Sequence, residues 1–189
     1  MNLPVIEITL PDWVKTFVEW DKRFISDEEK MSLAVDLAIE NVRQATGGPF
    51  GTAIFDSETN KLVSVGMNQV TRLNNSTLHA EVTAIVMAQK LAGNYNLNFD
   101  GEAKYELFTS CEPCCMCLGA VLWSGVKRLV CGATKSDASR IGFDEGPVYE
   151  SSYDYLTTRG IEVKRNCLRE KAVEAFDLYI ESGGVIYNS

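Results

Sequence analysis

Four of the chain's six cysteines fall within the seven residues from Cys111 to Cys117, and the chain has a single histidine, His79. Thiols that close together cannot cross-link distant parts of a 189-residue chain, so disulfides do not staple this fold and it must hold through its own apolar core. The material for one is present: 46% of residues are hydrophobic and 23% charged, at a length usual for one domain. With one histidine, a multi-histidine metal site and the HExxH protease arrangement are excluded, and any tetrahedral metal site must draw on cysteines. Cys111, Cys114 and Cys117 also space as C-x2-C-x2-C, but Val121 stands where an iron–sulfur pattern needs its next cysteine.

Around these residues the periodicity alternates between helix and strand. Ser26 followed by Glu29 is a capping-box pair, and the apolar positions from Met31 to Val42 carry a helix to Gly47 and Gly48. GTAIFD (51–56) and KLVSVG (61–66), separated by the turn-forming SETN, predict a hairpin. A helix runs from His79, a strand covers 104–110, and a second helix is entered at Pro113, whose missing N–H suits a first turn. Strands at 126–133 and 161–165 and a final amphipathic helix complete the order. Helices alternating with strands after an opening hairpin predict a three-layer α/β/α sandwich around a mixed central sheet of about five strands. No repeat, low-complexity tract or linker divides the chain, so residues 1–189 read as one domain. Within it, 1–25 form an N-terminal wrapping extension and 168–189 a C-terminal helix and tail.

Charge narrows the partners. Eighteen basic against twenty-six acidic residues give a net charge of -8, which disfavours nucleic acids and anionic membranes alike. No apolar run is long enough for a membrane span, and the opening MNLPVIEITLPDW lacks a basic start and an apolar core segment, so a soluble, cytoplasmic chain is expected.

Two short motifs carry chemistry. His79-Ala80-Glu81 and Pro113-Cys114-Cys115-Met116-Cys117 together form H-x-E followed by P-C-x-x-C. Cys114 and Cys117, three apart on a helix, share one face, and the positive end of the helix dipole favours their thiolate forms. With His79 they would neutralise one Zn²⁺ and leave its fourth position to water, whose pKa zinc lowers from about 15.7 to near 7. Glu81, roughly 200° further round its helix than His79, falls beside the metal as a proton carrier. The paired motifs resemble those of the cytidine-deaminase-like superfamily of zinc-dependent nucleobase and nucleoside deaminases. That resemblance implies this α/β fold, one zinc per chain and hydrolytic deamination. A closed structural zinc site using Cys111 or Cys115 is the competing reading, but Cys115 should point to another helix face and a closed site gives Glu81 no task. Cys131 and Cys167 read as packing residues.

Arg140-Ile141-Gly142-Phe143-Asp144-Glu145-Gly146-Pro147 is similar to the IGFD[DE] segment of bacterial guanine deaminases and the related plant guanosine deaminases. The match implies that Glu145 shuttles protons and binds the base, with Asp144 beside it. Gly47-Gly48-Pro49-Phe50-Gly51 resembles the group's pocket-forming turn, with Phe50 against the purine, and Asn68 matches its substrate-contacting asparagine. Trp123 and Phe143 are candidates to line the pocket, and Tyr187 in the tail GGVIYNS is suited to closing the site, in its own subunit or a neighbour's. The resemblance thus implies a guanine-to-xanthine reaction, a small-molecule nucleobase substrate and a homodimer. Guanosine and triazines such as ammeline remain as alternatives, followed by a tRNA adenosine deaminase, for which the chain lacks a basic surface, and a non-catalytic zinc-stabilised module.

Overall fold

The computed structural model describes residues 3–99, 101 and 104–188. A single turn, α1 (Val14–Phe17), precedes the long helix α2 (Asp27–Arg43). This helix starts where the sequence predicts: Ser26 Oγ accepts the Glu29 amide at 3.2 Å and Glu29 Oε2 accepts the Ser26 amide at 3.3 Å, so two otherwise orphaned donors are satisfied reciprocally. Met31, Ala34, Val35 and Ala38 recur at helical spacing and are fully buried, which seats α2 on the sheet.

The hairpin forms as β1 (Gly51–Asp56) and β2 (Lys61–Met67), antiparallel to each other. After α3 (Val70–Leu73) and α4 (Ala80–Ala92), β3 (Tyr105–Cys111) pairs antiparallel with β1. Then follow α5 (Cys115–Ser124), β4 (Arg128–Ala133), α6 (Lys135–Arg140), α7 (Glu150–Thr158), β5 (Glu162–Lys164) and α8 (Arg169–Glu181), with β4 and β5 joining in parallel. The sheet order is β2-β1-β3-β4-β5, a mixed five-stranded sheet.

Successive strand residues face opposite layers. Phe55, Phe108 and Val130 enter a core with Met31 of α2 and Phe176 of α8, whereas Ile54, Leu107 and Leu129 enter a second core with Ala84 of α4 and Val121 of α5. Burial on both faces makes the architecture the three-layer sandwich expected of the sequence. Before α2, the segment joins the first core through Val14, Val18 and Phe24, and the Phe24 amide donates to Asn60 O at 2.9 Å. No helix among the described residues is long and apolar enough to cross a membrane.

Two details differ from the sequence reading. The motif helices begin later than read, α4 by one residue and α5 by two, so His79 is the N-cap of α4 and Cys114 the N-cap of α5, each in extended backbone rather than in a first turn. The one-turn helix α1 and the short helices α3 and α6 have too few residues to leave a periodic signal.

Candidate active site

The parallel strands β3 and β4 end together at Cys111 and Ala133, and the chain leaves β3 through Glu112 and Pro113 into α5. At that edge α4 and α5 present their N-termini, bringing His79, Cys114 and Cys117 within 4.8 Å of one another by their ligand atoms. His79 Nδ1 lies 3.5 Å from Cys114 Sγ, close to the edge of about 3.5 Å that tetrahedral Zn–S and Zn–N bonds require. The electrostatics agree with a cation site. The Cys114 thiol is pulled down to about 4, first by the hydrogen bond from Cys117 and, against the cost of burial, by His79. Cys117 is pushed up by holding that proton and by burial. Burial works against a charged His79, but the bond to Cys114 and the charge of Glu81 outweigh it and raise the ring's pKa. Two sulfurs and one imidazole fit zinc, and Cys115 is exposed, as its place on another helix face requires.

Glu81, in the first turn of α4, is buried beside this cluster without belonging to it. Burial raises its carboxyl above the ordinary range, and the Cys114 thiolate adds to the effect. Glu145 is also buried and is pushed up to about 8, by burial first and then by the charges of Cys114 and Glu81. Both carboxyls face one small enclosed cavity with His79 and Cys114. Larger surface grooves exist, such as one beside Phe17, Phe24 and Leu33, but they hold no such donor set.

The remaining candidates separate into those that reach the cavity and those that do not. Phe50 lines it, edge-on to Phe143 at 5.1 Å between ring centroids. Phe143 does not line it: the ring is 2% exposed and stands behind Phe50 and Tyr187, a packing support where the sequence suggested a contact. Asp144 points to solvent, its Oδ1 accepting the Gly146 amide at 2.8 Å, so the carboxylate shapes the turn. Trp123 is 78% exposed on the outer face of α5, away from the cavity. Asn68 does not line the cavity: it is buried just past β2, with Oδ1 accepting the Val70 amide at 3.2 Å and Nδ2 left without a partner among the described residues.

Tyr187 reaches the cavity from the chain's own tail. Its ring packs 5.0 Å from Phe143 and 6.4 Å from His79, and its buried hydroxyl has no partner among the described residues. Gly48 makes room for it, since a Cβ there would stand 2.4 Å from the Tyr187 hydroxyl. Asn188 fastens the tail by a reciprocal pair with Asp144: the Asp144 amide donates to Asn188 O at 3.1 Å and Asn188 Nδ2 donates to Asp144 O at 2.9 Å.

Sequence reasoning missed Glu112, which lines the cavity while its oxygens accept Arg165 Nε at 2.5 Å and the Lys135 amide at 2.8 Å. An acidic residue directly preceding the P-C-x-x-C motif was the available signal. Asn188 was missed because only the folded tail reveals its partner.

Residues 25–133 match the model of the cytidine and deoxycytidylate deaminase zinc-binding region. A guanine deaminase of Bacillus subtilis is 41% identical over 126 residues, 67% of this chain and 76% of that protein. A solved structure of guanine deaminase from Nitrosomonas europaea superposes with a TM-score of 0.87 at 35% identity, covering 97% of this chain and 100% of the other. Another, in complex with 2,6-diaminopurine, gives a TM-score of 0.89 at 39% identity over 96% of each chain. The zinc-ligand geometry, the fold and these relatives agree, and the chain belongs to the cytidine and deoxycytidylate deaminase zinc-binding family.

Proposed function

We propose that this chain is a zinc-dependent aminohydrolase converting guanine and water to xanthine and ammonia. The observation that carries the reading is the placement of Glu145 in the same enclosed cavity as Glu81 and the His79–Cys114–Cys117 cluster. The zinc motif alone is common to many deaminases, whereas the resemblance of the IGFDEGP segment assigns this second carboxyl to guanine deamination, the activity for which similar proteins are named. Zinc held by His79, Cys114 and Cys117 supplies a Lewis acid that brings water's pKa near 7.

The chain's own groups do the rest. Glu81 accepts one proton of the attacking water and passes it to the ring nitrogen, and the second proton, from the hydroxyl then on the ring carbon, reaches the departing amine, which leaves as ammonia; such proton transfer contributes about 10² to 10⁴ in rate. Glu145, whose burial favours the protonated carboxyl, can donate a hydrogen bond to the base and pass a proton toward the leaving group. The free Nδ2 of Asn68 suits an acceptor on the base edge, and Phe50 packs against the ring. The cavity closed by Tyr187 and Asn188 has free room of only about 10 Å³, less than a base needs, so the tail must move to admit substrate, and the free base, smaller than guanosine, needs the lesser displacement. Ammeline and other triazines fit less well the paired roles of Asn68 and Glu145, and the net charge of -8 argues against a tRNA substrate.

The whole chain then acts as one deaminase domain. A homodimer is part of the same reading, supported by the exposed Trp123 on α5 and Tyr155 on α7, and six free thiols suit a reducing, cytoplasmic setting. Ammonia release by zinc-loaded protein from guanine, guanosine, adenine, cytosine and ammeline tests the reading. Guanine turnover above every other substrate supports it, and turnover confined to another member overturns the choice of guanine.

A further inference from the structure

A chain of hydrogen bonds runs from the N-terminal segment to the substrate side of the cavity. Trp13 Nε1 donates to Thr46 Oγ1 at 3.0 Å, and the Thr46 hydroxyl donates to Asn41 Oδ1 at 2.7 Å. Asn41, fully buried near the end of α2, then spends both amide hydrogens on backbone carbonyls: Gly48 O at 2.8 Å and Asn68 O at 2.9 Å. Those carbonyls belong to the two segments that carry Phe50 and Asn68, which are themselves joined by the Asn68 amide donating to Phe50 O at 3.0 Å. The packing at this junction leaves no slack. A Cβ on Gly47 would stand 1.9 Å from Asn68 O and 2.9 Å from Asn41 Nδ2.

We infer that Asn41 is a positioning residue for the substrate pocket, and that Trp13, through Thr46, makes the N-terminal segment part of that device. Each member of the chain has its donors and acceptors matched in one direction, indole to hydroxyl to amide to carbonyl, so each bond polarises the next. A carboxamide is the one side chain of this size that accepts at one end and donates two hydrogens at the other. Loss of the Thr46 hydroxyl leaves Asn41 Oδ1 unsatisfied in a buried site and frees the amide to rotate, which releases the two carbonyls from a common register. The consequence falls on Phe50, which lines the cavity, and on Asn68, to which the proposed function gives the base edge, and not on His79, Glu81, Cys114 or Cys117, which hang from α4 and α5. Substrate binding, and not the chemical step, is therefore what this chain of bonds controls. Trp13 lies outside the matched family region of residues 25–133, so the chain of bonds ties the site to a segment beyond that region.

The test uses the full-length, zinc-loaded protein. Asn41→Ala strips a buried hydrogen bond from two carbonyls, leaving Gly48 O only the Phe50 amide, and endangers folding, so Thr46→Val, which keeps the side-chain bulk, and Trp13→Phe, which keeps an aromatic ring, are the informative variants. In each, KM for guanine should rise about fivefold, the effect of one neutral hydrogen bond, with kcat changed by less than about twofold. Zinc content should not change. Independently of turnover, hydrogen–deuterium exchange should quicken about tenfold at residues 47–51 and 67–69 and stay unchanged at 79–81 and 114–117. The inference depends on the guanine reading only for its kinetic arm: wild-type protein inactive on guanine overturns that reading, and exchange alone then decides this one. A lower melting temperature with KM and local exchange both at wild-type values overturns the positioning role, because a merely structural bond would move stability alone.

Discussion

The backbone carbonyl of Glu145 accepts the amide of Cys115 at 3.0 Å, so the loop that carries the second carboxyl is bolted to the first turn of the helix that carries two zinc ligands. Gly146 makes the junction possible: its φ is +67°, and a Cβ there would stand 2.6 Å from Cys115 Sγ. Gly146→Ala should therefore cost about 1–2 kcal/mol in backbone strain alone and displace Glu145. The expected result is zinc content near wild type with kcat lowered by up to about 10²-fold, as misplacing a reacting group by an ångström does. Wild-type kinetics in that variant would show that the loop need not be held in this register.

Glu145 also makes a prediction about stability. Its folded pKa of about 8 lies above the ordinary value of 4.5, so its contribution to stability is fully present below pH 4.5 and is lost as pH rises through 8. In zinc-free protein, Glu145→Gln removes the charge that must otherwise be buried. Melting temperature should rise at pH 8.5, by about 2–4 °C for each kcal/mol relieved, and match wild type near pH 4. A variant less stable than wild type at pH 8.5 would contradict the assigned shift. The buried acid costs stability and is kept for function.

Away from the site, Lys30 of α2 forms a buried ion pair with Glu106 of β3, with Arg128 Nη1 also within 3.3 Å of the carboxylate. Removing one partner of such a pair costs more than the pair contributes, because a charge is left in the core. Lys30→Met should lower stability by about 3 kcal/mol in urea unfolding, and the double variant Lys30→Met with Glu106→Gln should regain at least half of that. Equal loss in the single and double variants would refute the unpaired-charge explanation.

Tyr187 gives the tail its effect on substrate choice. Tyr187→Ala removes a buried aromatic wall, and KM for guanine should rise about tenfold or more. The same variant should gain activity on guanosine, since the ribose then has room. Unchanged selectivity would mean that the tail does not gate the site.

Most of the scaffold was legible because it is encoded locally. Ser26 and Glu29 announce α2 within four residues, and GTAIFD and KLVSVG on either side of SETN announce the hairpin. The zinc ligands were legible for the same reason, with Cys114 and Cys117 adjacent on one turn and His79 in a motif of its own. Roles within the pocket were not, because they depend on where loops travel. Phe50 and Phe143 are both aromatic residues beside glycine, yet one faces the cavity and the other supports it from behind, an outcome fixed by the turn at Gly142 and by the returning tail. Asp144 and Glu145 are adjacent acids, and the Asx-type bond from the Gly146 amide turns the first outward while the second points in. Asn41 left no trace in the sequence, because Gly48 and Asn68, seven and twenty-seven residues away, are its partners only in the fold.

The most direct test of the central claim is ammonia release from guanine by zinc-loaded wild-type protein and by Glu81→Gln, with zinc measured in both. The account predicts turnover by wild type, a loss of about 10²-fold or more in the variant, and one equivalent of zinc retained in each. Turnover that survives Glu81→Gln with zinc in place would contradict the role of Glu81 as the proton carrier and, with it, the mechanism built on this site.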